Sequence, residues 1–175
     1  MSPAFALRAA GVVLAAALLQ TVVVSSLSIA GGAPDLLLVA VVSLGLLRGA
    51  SAGAVLGFLA GLVVDLLALE TLGITSLVLT LAGYWAGRYA ETTGRGKRLA
   101  PLAAVGVITV LATVFGLLLH VMLGEAVAAR ETLLGPLPPT LAANLVLALP
   151  VHALVRLLVH GREEAEPVAE VELVG

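Results

Sequence analysis

The chain has 175 residues, of which 61% are hydrophobic and 11% charged, and this composition excludes a water-soluble domain with an ordinary charged exterior. It contains no cysteine, so disulfides, zinc thiolates and cysteine nucleophiles are excluded. The net charge of −2 is small, and we expect no nucleic-acid partner. Because each membrane-crossing helix needs roughly 20 apolar residues, the length allows about six of them.

Six apolar segments predict an all-α, polytopic integral membrane protein. They run over residues 4–24, 35–47, 51–69, 72–89, 101–123 and 140–159. We therefore divide the chain into a six-helix transmembrane domain, residues 1–160, and an acidic, disordered cytoplasmic tail, residues 161–175.

The first two segments each allow an alternative. Arg8 followed by Ser28-Ile29-Ala30 resembles a signal peptide, but the apolar run exceeds the ~7–15 residues of a signal core, so we favour a retained helix. The second segment is short and ends at Arg48, which also fits a re-entrant hairpin. Since that hairpin would leave Arg48 at mid-depth, at a cost of at least ~2.5 kcal/mol, we prefer two short spans.

Prolines mark the last segment. Gly135-Pro136 and Pro138-Pro139 are expected to terminate helices, and Pro150 is expected to kink the sixth segment.

The positive charges predict the orientation of the chain. With six crossings and a cytoplasmic N-terminus, nearly all of them lie in the cytoplasm, namely Arg8, Arg48, Arg88, Arg95, Lys97, Arg98, Arg156 and Arg162. Arg130 alone lies outside. This distribution obeys the positive-inside bias and predicts a multi-pass membrane protein with both termini in the cytoplasm.

Glycines recur at every fourth residue of the second and third segments. Gly45, Gly49, Gly53, Gly57 and Gly61 form one stripe, and Asp65 extends it. Small residues let membrane helices approach closely, so the stripe predicts a groove for a helix. That helix belongs either to another protein or to this chain, and both hold if one end of the groove stays open.

Two acids flank the stripe. If the second and third segments are antiparallel, Asp35 and Asp65 reach a similar depth near the outer surface. Asp35 follows Pro34 and fits a helix N-terminus, where the dipole favours an anion. Asp65 lies among Leu and Val, which favours a functional role or a buried pair, with Arg130 as the candidate partner in this chain.

The patterns of catalytic and metal sites are weak. Gly49-Ala50-Ser51-Ala52-Gly53 matches a nucleophile-elbow pattern, but it forms the turn between two membrane helices, far from His120. The three histidines lack metal-ligand spacing. We therefore predict no enzymatic activity, no cofactor and no metal.

Several motifs together resemble the MreD family of rod shape-determining membrane proteins. They are Pro34-Asp35, the run Gly57-Phe58-Leu59-Ala60-Gly61-Leu62-Val63-Val64-Asp65-Leu66, Leu72-Gly73, Gly83-Tyr84, and Asn144 with Pro150. The resemblance covers the chain up to its acidic tail. It implies a six-helix fold like that of the substrate-binding subunits of energy-coupling-factor transporters.

The resemblance also implies a role and partners. MreD-like proteins pair with MreC, alongside MreB, the RodA glycosyltransferase and a penicillin-binding transpeptidase of peptidoglycan synthesis. The expected function is a non-enzymatic scaffold of the cell-elongation machinery, embedded in membrane lipid. Within it, we expect Gly53, Gly57 and Gly61 to contact the MreC helix, and Asp65 and Asp35 to anchor it. The alternative is a transporter subunit that binds a vitamin or a metal.

Overall fold

The computed structural model describes residues 3–26, 32–68, 72–93, 99–124 and 135–160. They form six helices: α1 (Pro3–Ser26), α2 (Leu36–Arg48), α3 (Ala50–Ala68), α4 (Ile74–Thr93), α5 (Ala100–Met122) and α6 (Leu137–His160). The predicted all-α class is confirmed, and each helix overlaps one predicted segment. The acidic tail and Arg130 lie outside the described residues.

Glycine and proline set several helix boundaries. Gly49 and Gly73 have φ of 94° and 103°, a left-handed backbone that favours glycine, and they precede α3 and α4. Pro138 and Pro139 do not terminate a helix as expected but lie in the first turn of α6. Proline is tolerated there because the first turn has no intrahelical acceptor for its missing N–H. Helix α6 continues through Pro150.

Helix α2 is the centre of the bundle. Every residue from 37 to 46 is buried, and α2 packs against each of the other five helices. With 13 residues it is about 20 Å long, shorter than the roughly 30 Å hydrocarbon core of a bilayer. A helix this apolar and this short is stable because the other helices, and not lipid, surround it.

The outer helices present apolar side chains to the surroundings. Among the described helices, α3, α5 and α6 are long and apolar enough to span a membrane. Their outward side chains are mainly Leu, Val and Phe, and Val107, Val146 and Leu157 are among the most exposed. An exterior of this kind is stable in lipid and not in water, so the chain is a membrane protein. The six predicted crossings and their orientation remain predictions.

Candidate functional site

The glycine stripe of α3 lies directly against α4. A Cβ atom added at Gly57 would lie 2.6 Å from the carbonyl carbon of Leu79, and one at Gly61 would lie 2.6 Å from that of Thr75. Real Cβ atoms essentially never approach other atoms that closely. The two helices therefore meet backbone to backbone along this row.

Glycines of α2 and α4 complete the contact. Gly83 of α4 faces Gly53, where an added Cβ would lie 2.7 Å from the Gly83 carbonyl carbon. A Cβ at Gly45 of α2 would lie 2.6 Å from the Gly83 carbonyl oxygen. Three helices thus converge at one point that only glycine can occupy.

This packing corrects one expectation about the stripe. The chain's own α4 fills the groove along Gly53, Gly57 and Gly61, and all three are buried. A partner helix has no access to them in this arrangement. Of the two interpretations that the spacing allowed, the structure shows packing within the chain.

Asp65 is the N-terminal cap of α4, supplied by the end of α3. Its Oδ2 accepts hydrogen bonds from the Gly73 amide at 2.8 Å, from the Ser76 amide at 3.3 Å and from the Ser76 hydroxyl at 3.0 Å. Gly73 has no side chain with which to cap its own helix, so Asp65 takes that role across the turn. With 1% of its surface exposed, Asp65 is buried at the point where it caps α4.

Glu91 makes the reciprocal contact at the other end of the hairpin. Its Oε1 accepts a hydrogen bond from the Ala50 amide at 2.9 Å, at the start of α3. Its Oε2 lies 3.2 Å from Arg88 Nη1. Each helix of the α3–α4 pair therefore ends in a carboxylate that caps the other. The capping role of Glu91 was not predicted from the sequence, although the glycines that precede both helices were the available signal.

Asp35 caps its own helix and joins a polar network. Its Oδ1 accepts a hydrogen bond from the Leu38 amide at 2.9 Å, so the predicted N-terminal role is confirmed. Its own amide donates to Asn144 Oδ1 of α6 at 2.8 Å, and Asn144 Nδ2 donates to Thr109 Oγ1 of α5 at 3.1 Å. The start of the central helix is thereby tied to two outer helices.

Gln20 of α1 forms hydrogen bonds with the residues on either side of Asp35. Its Oε1 accepts from the Leu36 amide at 2.8 Å, and its Nε2 donates to the Pro34 carbonyl at 3.2 Å. Asp35 and Asp65 share no hydrogen-bond partner among the described residues. They therefore cap two helices separately and do not form a paired carboxylate site.

An open cleft lies between α4 and α5, and no sequence pattern predicted it. Its inner part, with a volume of about 180 Å³, is apolar and includes Trp85 and Phe115. A second part of about 390 Å³ continues from it and reaches Asp35 and His120. Both parts share Val78 and Ala112.

Helix α1 carries an exposed glycine, Gly11, against which none of the described residues packs. A Cβ added at Gly11 would meet no atom within 4 Å, and Gly11 and Ala15, one turn apart, are both exposed. An interior helical glycine costs about 1 kcal/mol against alanine, and packing within the described chain does not explain it here. After the glycine stripe of α3, the Gly11–Ala15 pair is a second candidate for contact with a helix of another protein.

No group of three or more potential metal-ligating side chains occurs in the described parts of the chain. His120 Nδ1 lies 2.8 Å from the Gly116 carbonyl oxygen, a bond within its own helix. The site therefore consists of packing surfaces and capped helix ends.

One family matches the chain. Its description is "rod shape-determining protein MreD", and the match spans residues 6–161. No curated protein and no solved structure matches. The likeness to energy-coupling-factor subunits therefore remains a prediction.

Proposed function

The chain belongs to the MreD family of rod shape-determining proteins, and from that premise we propose that it is a non-enzymatic membrane scaffold that binds the transmembrane helix of MreC. MreC then links it to MreB, RodA and a penicillin-binding transpeptidase in the bacterial cytoplasmic membrane. Its part in cell shape is to fix where MreC lies relative to those enzymes.

A scaffold needs a rigid body, and the α2–α3–α4 unit supplies one. The backbones of α3 and α4 touch along the glycine row, and Asp65 and Glu91 cap both ends of the pair. Close-packed interiors resist deformation. Helix α1 packs against α2 and α3, so a partner helix held on α1 keeps a fixed position relative to this body.

The exposed face of α1 is the surface that we assign to MreC. The exposure of Gly11 is the single observation that carries this assignment. A Cβ atom added at Gly11 would meet no atom within 4 Å. In lipid, helix association depends on close backbone approach and not on the hydrophobic effect, so a Gly and an Ala one turn apart favour a helix contact. Leu7 and Leu18 lie on the same helix, one turn before Gly11 and one turn after Ala15, and both are more than half exposed.

Co-purification tests this assignment. A tagged Gly11→Leu variant should recover less MreC, because overpacking a close contact costs about 1–3 kcal/mol, a roughly 5- to 150-fold loss of affinity. The matched control is Ala153→Leu, which enlarges an exposed small residue on α6. The melting temperature of each variant alone checks that it is folded. Full recovery of MreC by folded Gly11→Leu would refute the assignment to α1.

Cross-linking gives an independent readout, because the chain has no cysteine. A single cysteine at Ala15 should form a disulfide with cysteines placed along the MreC helix at intervals of three or four residues. A cysteine at Ala153 should not. Equal yields at both positions would mean that MreC has no preferred face. Variants at Gly57 or Asp65 are unsuitable for this question, since they disturb the α3–α4 contact itself.

A further inference from the structure

The cleft between α4 and α5 combines an apolar channel with a polar end. The channel is lined by apolar side chains of both helices, including Val78 and Trp85 of α4 and Leu111, Ala112 and Phe115 of α5. The polar end adds Asp35, Thr75, Thr113 and His120. A gradient from apolar to polar along one groove matches an amphiphile that lies with its tail in the channel.

The cleft opens sideways to the bilayer. Trp85 and Leu111 line the channel, and they are 57% and 53% exposed. A molecule already in the membrane can therefore enter without crossing water. Gly116 keeps the outer part of the cleft wide, since a Cβ there would meet only Val78 Cγ2, at 3.9 Å.

The size of the cleft fits a single acyl chain. From Ile108 to His120, α5 rises by about 18 Å, close to the roughly 15 Å thickness of one hydrocarbon leaflet. The two cavities along this length have volumes of about 180 and 390 Å³.

The polar end offers acceptors. Asp35 brings a carboxylate, and the Thr113 hydroxyl already donates to the Thr109 carbonyl at 2.9 Å, which leaves its oxygen lone pairs to accept. None of the described residues lining this end is Lys or Arg. Among these described lining residues, an anionic head group would therefore meet the carboxyl group of Asp35 and no cation.

We propose that the α4–α5 cleft binds one phospholipid whose head group carries a primary ammonium, such as phosphatidylethanolamine. One acyl chain lies along the channel from Phe115 towards Trp85. The ammonium donates to the Asp35 carboxylate at the polar end, and the phosphate stays at the hydrated surface. The inference concerns a surface separate from α1, so it does not rest on MreC binding.

Native mass spectrometry of the full chain tests the site. The protein is purified with equal amounts of phosphatidylethanolamine and phosphatidylglycerol, and the retained lipid is identified. One charge-assisted hydrogen bond predicts about tenfold enrichment of phosphatidylethanolamine. Asp35→Asn should reduce this preference to near unity while keeping the helix cap, because asparagine caps helices as well as aspartate.

Filling the cleft provides the second arm. Gly116→Leu should lower the retained lipid about tenfold, as the added side chain occupies the cavity. Leu118→Phe is the matched control, since Leu118 is 52% exposed on the same helix and lines neither cavity. Should Gly116→Leu fail to fold, as judged by its melting temperature, Ala112→Phe fills the shared part of the channel instead.

The outcomes are distinct. Equal retention of the two lipids by the native protein, or full retention by a folded cleft-filling variant, overturns the proposal. If a cleft-filling variant no longer recovers MreC but retains as much lipid as the native protein, the cleft binds the MreC helix and the lipid proposal is wrong. Loss of MreC through Gly11→Leu with intact lipid selectivity supports both sites independently.

Discussion

Replacing Gly57 by alanine tests the backbone contact that organises the bundle. The added methyl group would lie 2.6 Å from the Leu79 carbonyl carbon and 3.0 Å from the Thr80 amide nitrogen. These are backbone atoms of α4, so no side-chain rotation relieves the clash. Helices α3 and α4 must instead move apart by about 1 Å to restore ordinary contact distances.

The expected cost follows from two opposing terms. Overpacking of a tight interior costs about 1–3 kcal/mol, and alanine returns up to about 1 kcal/mol through its higher helix propensity. Because the clash is with backbone, we expect a net destabilisation of about 2 kcal/mol. At about 2–4 °C per kcal/mol for a chain of this size, the melting temperature falls by about 4–8 °C.

The assay is thermal unfolding of the purified chain in detergent, with Gly11→Ala as the matched control. The control makes the same substitution in another helix, but its methyl group meets nothing within 4 Å. It should leave the melting temperature unchanged or raise it by up to about 4 °C. If the melting temperature of Gly57→Ala equals that of Gly11→Ala, the close α3–α4 contact is not present and the reasoning fails.

Three further substitutions probe the polar contacts, each measured by thermal unfolding. Asp65→Leu should destabilise by about 2–3 kcal/mol, because it leaves the buried amide and hydroxyl of Ser76, and the Gly73 amide before α4, without this acceptor, whereas Asp65→Asn should cost less than half as much. Asn144→Leu should cost about 2 kcal/mol through the lost hydrogen bond to the Asp35 amide, and unchanged stability would show that this bond contributes nothing. Phe5→Leu should cost about 1–2 kcal/mol, since Arg48 lies 3.9 Å above the Phe5 ring, and a Phe5→Tyr control that retains an aromatic face should cost clearly less.

The sequence by itself determined which segments become helices. Apolar runs of membrane length predicted six segments, and the described helices overlap all of them. It also located the residues that matter for packing. Glycine spacing predicted a close helix contact along Gly53, Gly57 and Gly61, and Pro34 before Asp35 predicted a helix start. These are local properties, set by propensity, by spacing along one helix and by the transfer of side chains into lipid.

Only the tertiary structure decided what those features contact. A glycine row predicts that the backbone of another helix approaches closely. Because every helix has a backbone, the row does not identify α4 as the helix that packs there. Capping by Asp65 and Glu91 joins residues that are 8 and 41 positions apart, and hydrogen-bonding capacity alone does not choose between distant partners. The burial of α2 and the cleft beside α5 depend on how six helices fill space together. Such packing is a property of the assembled bundle and of no single segment.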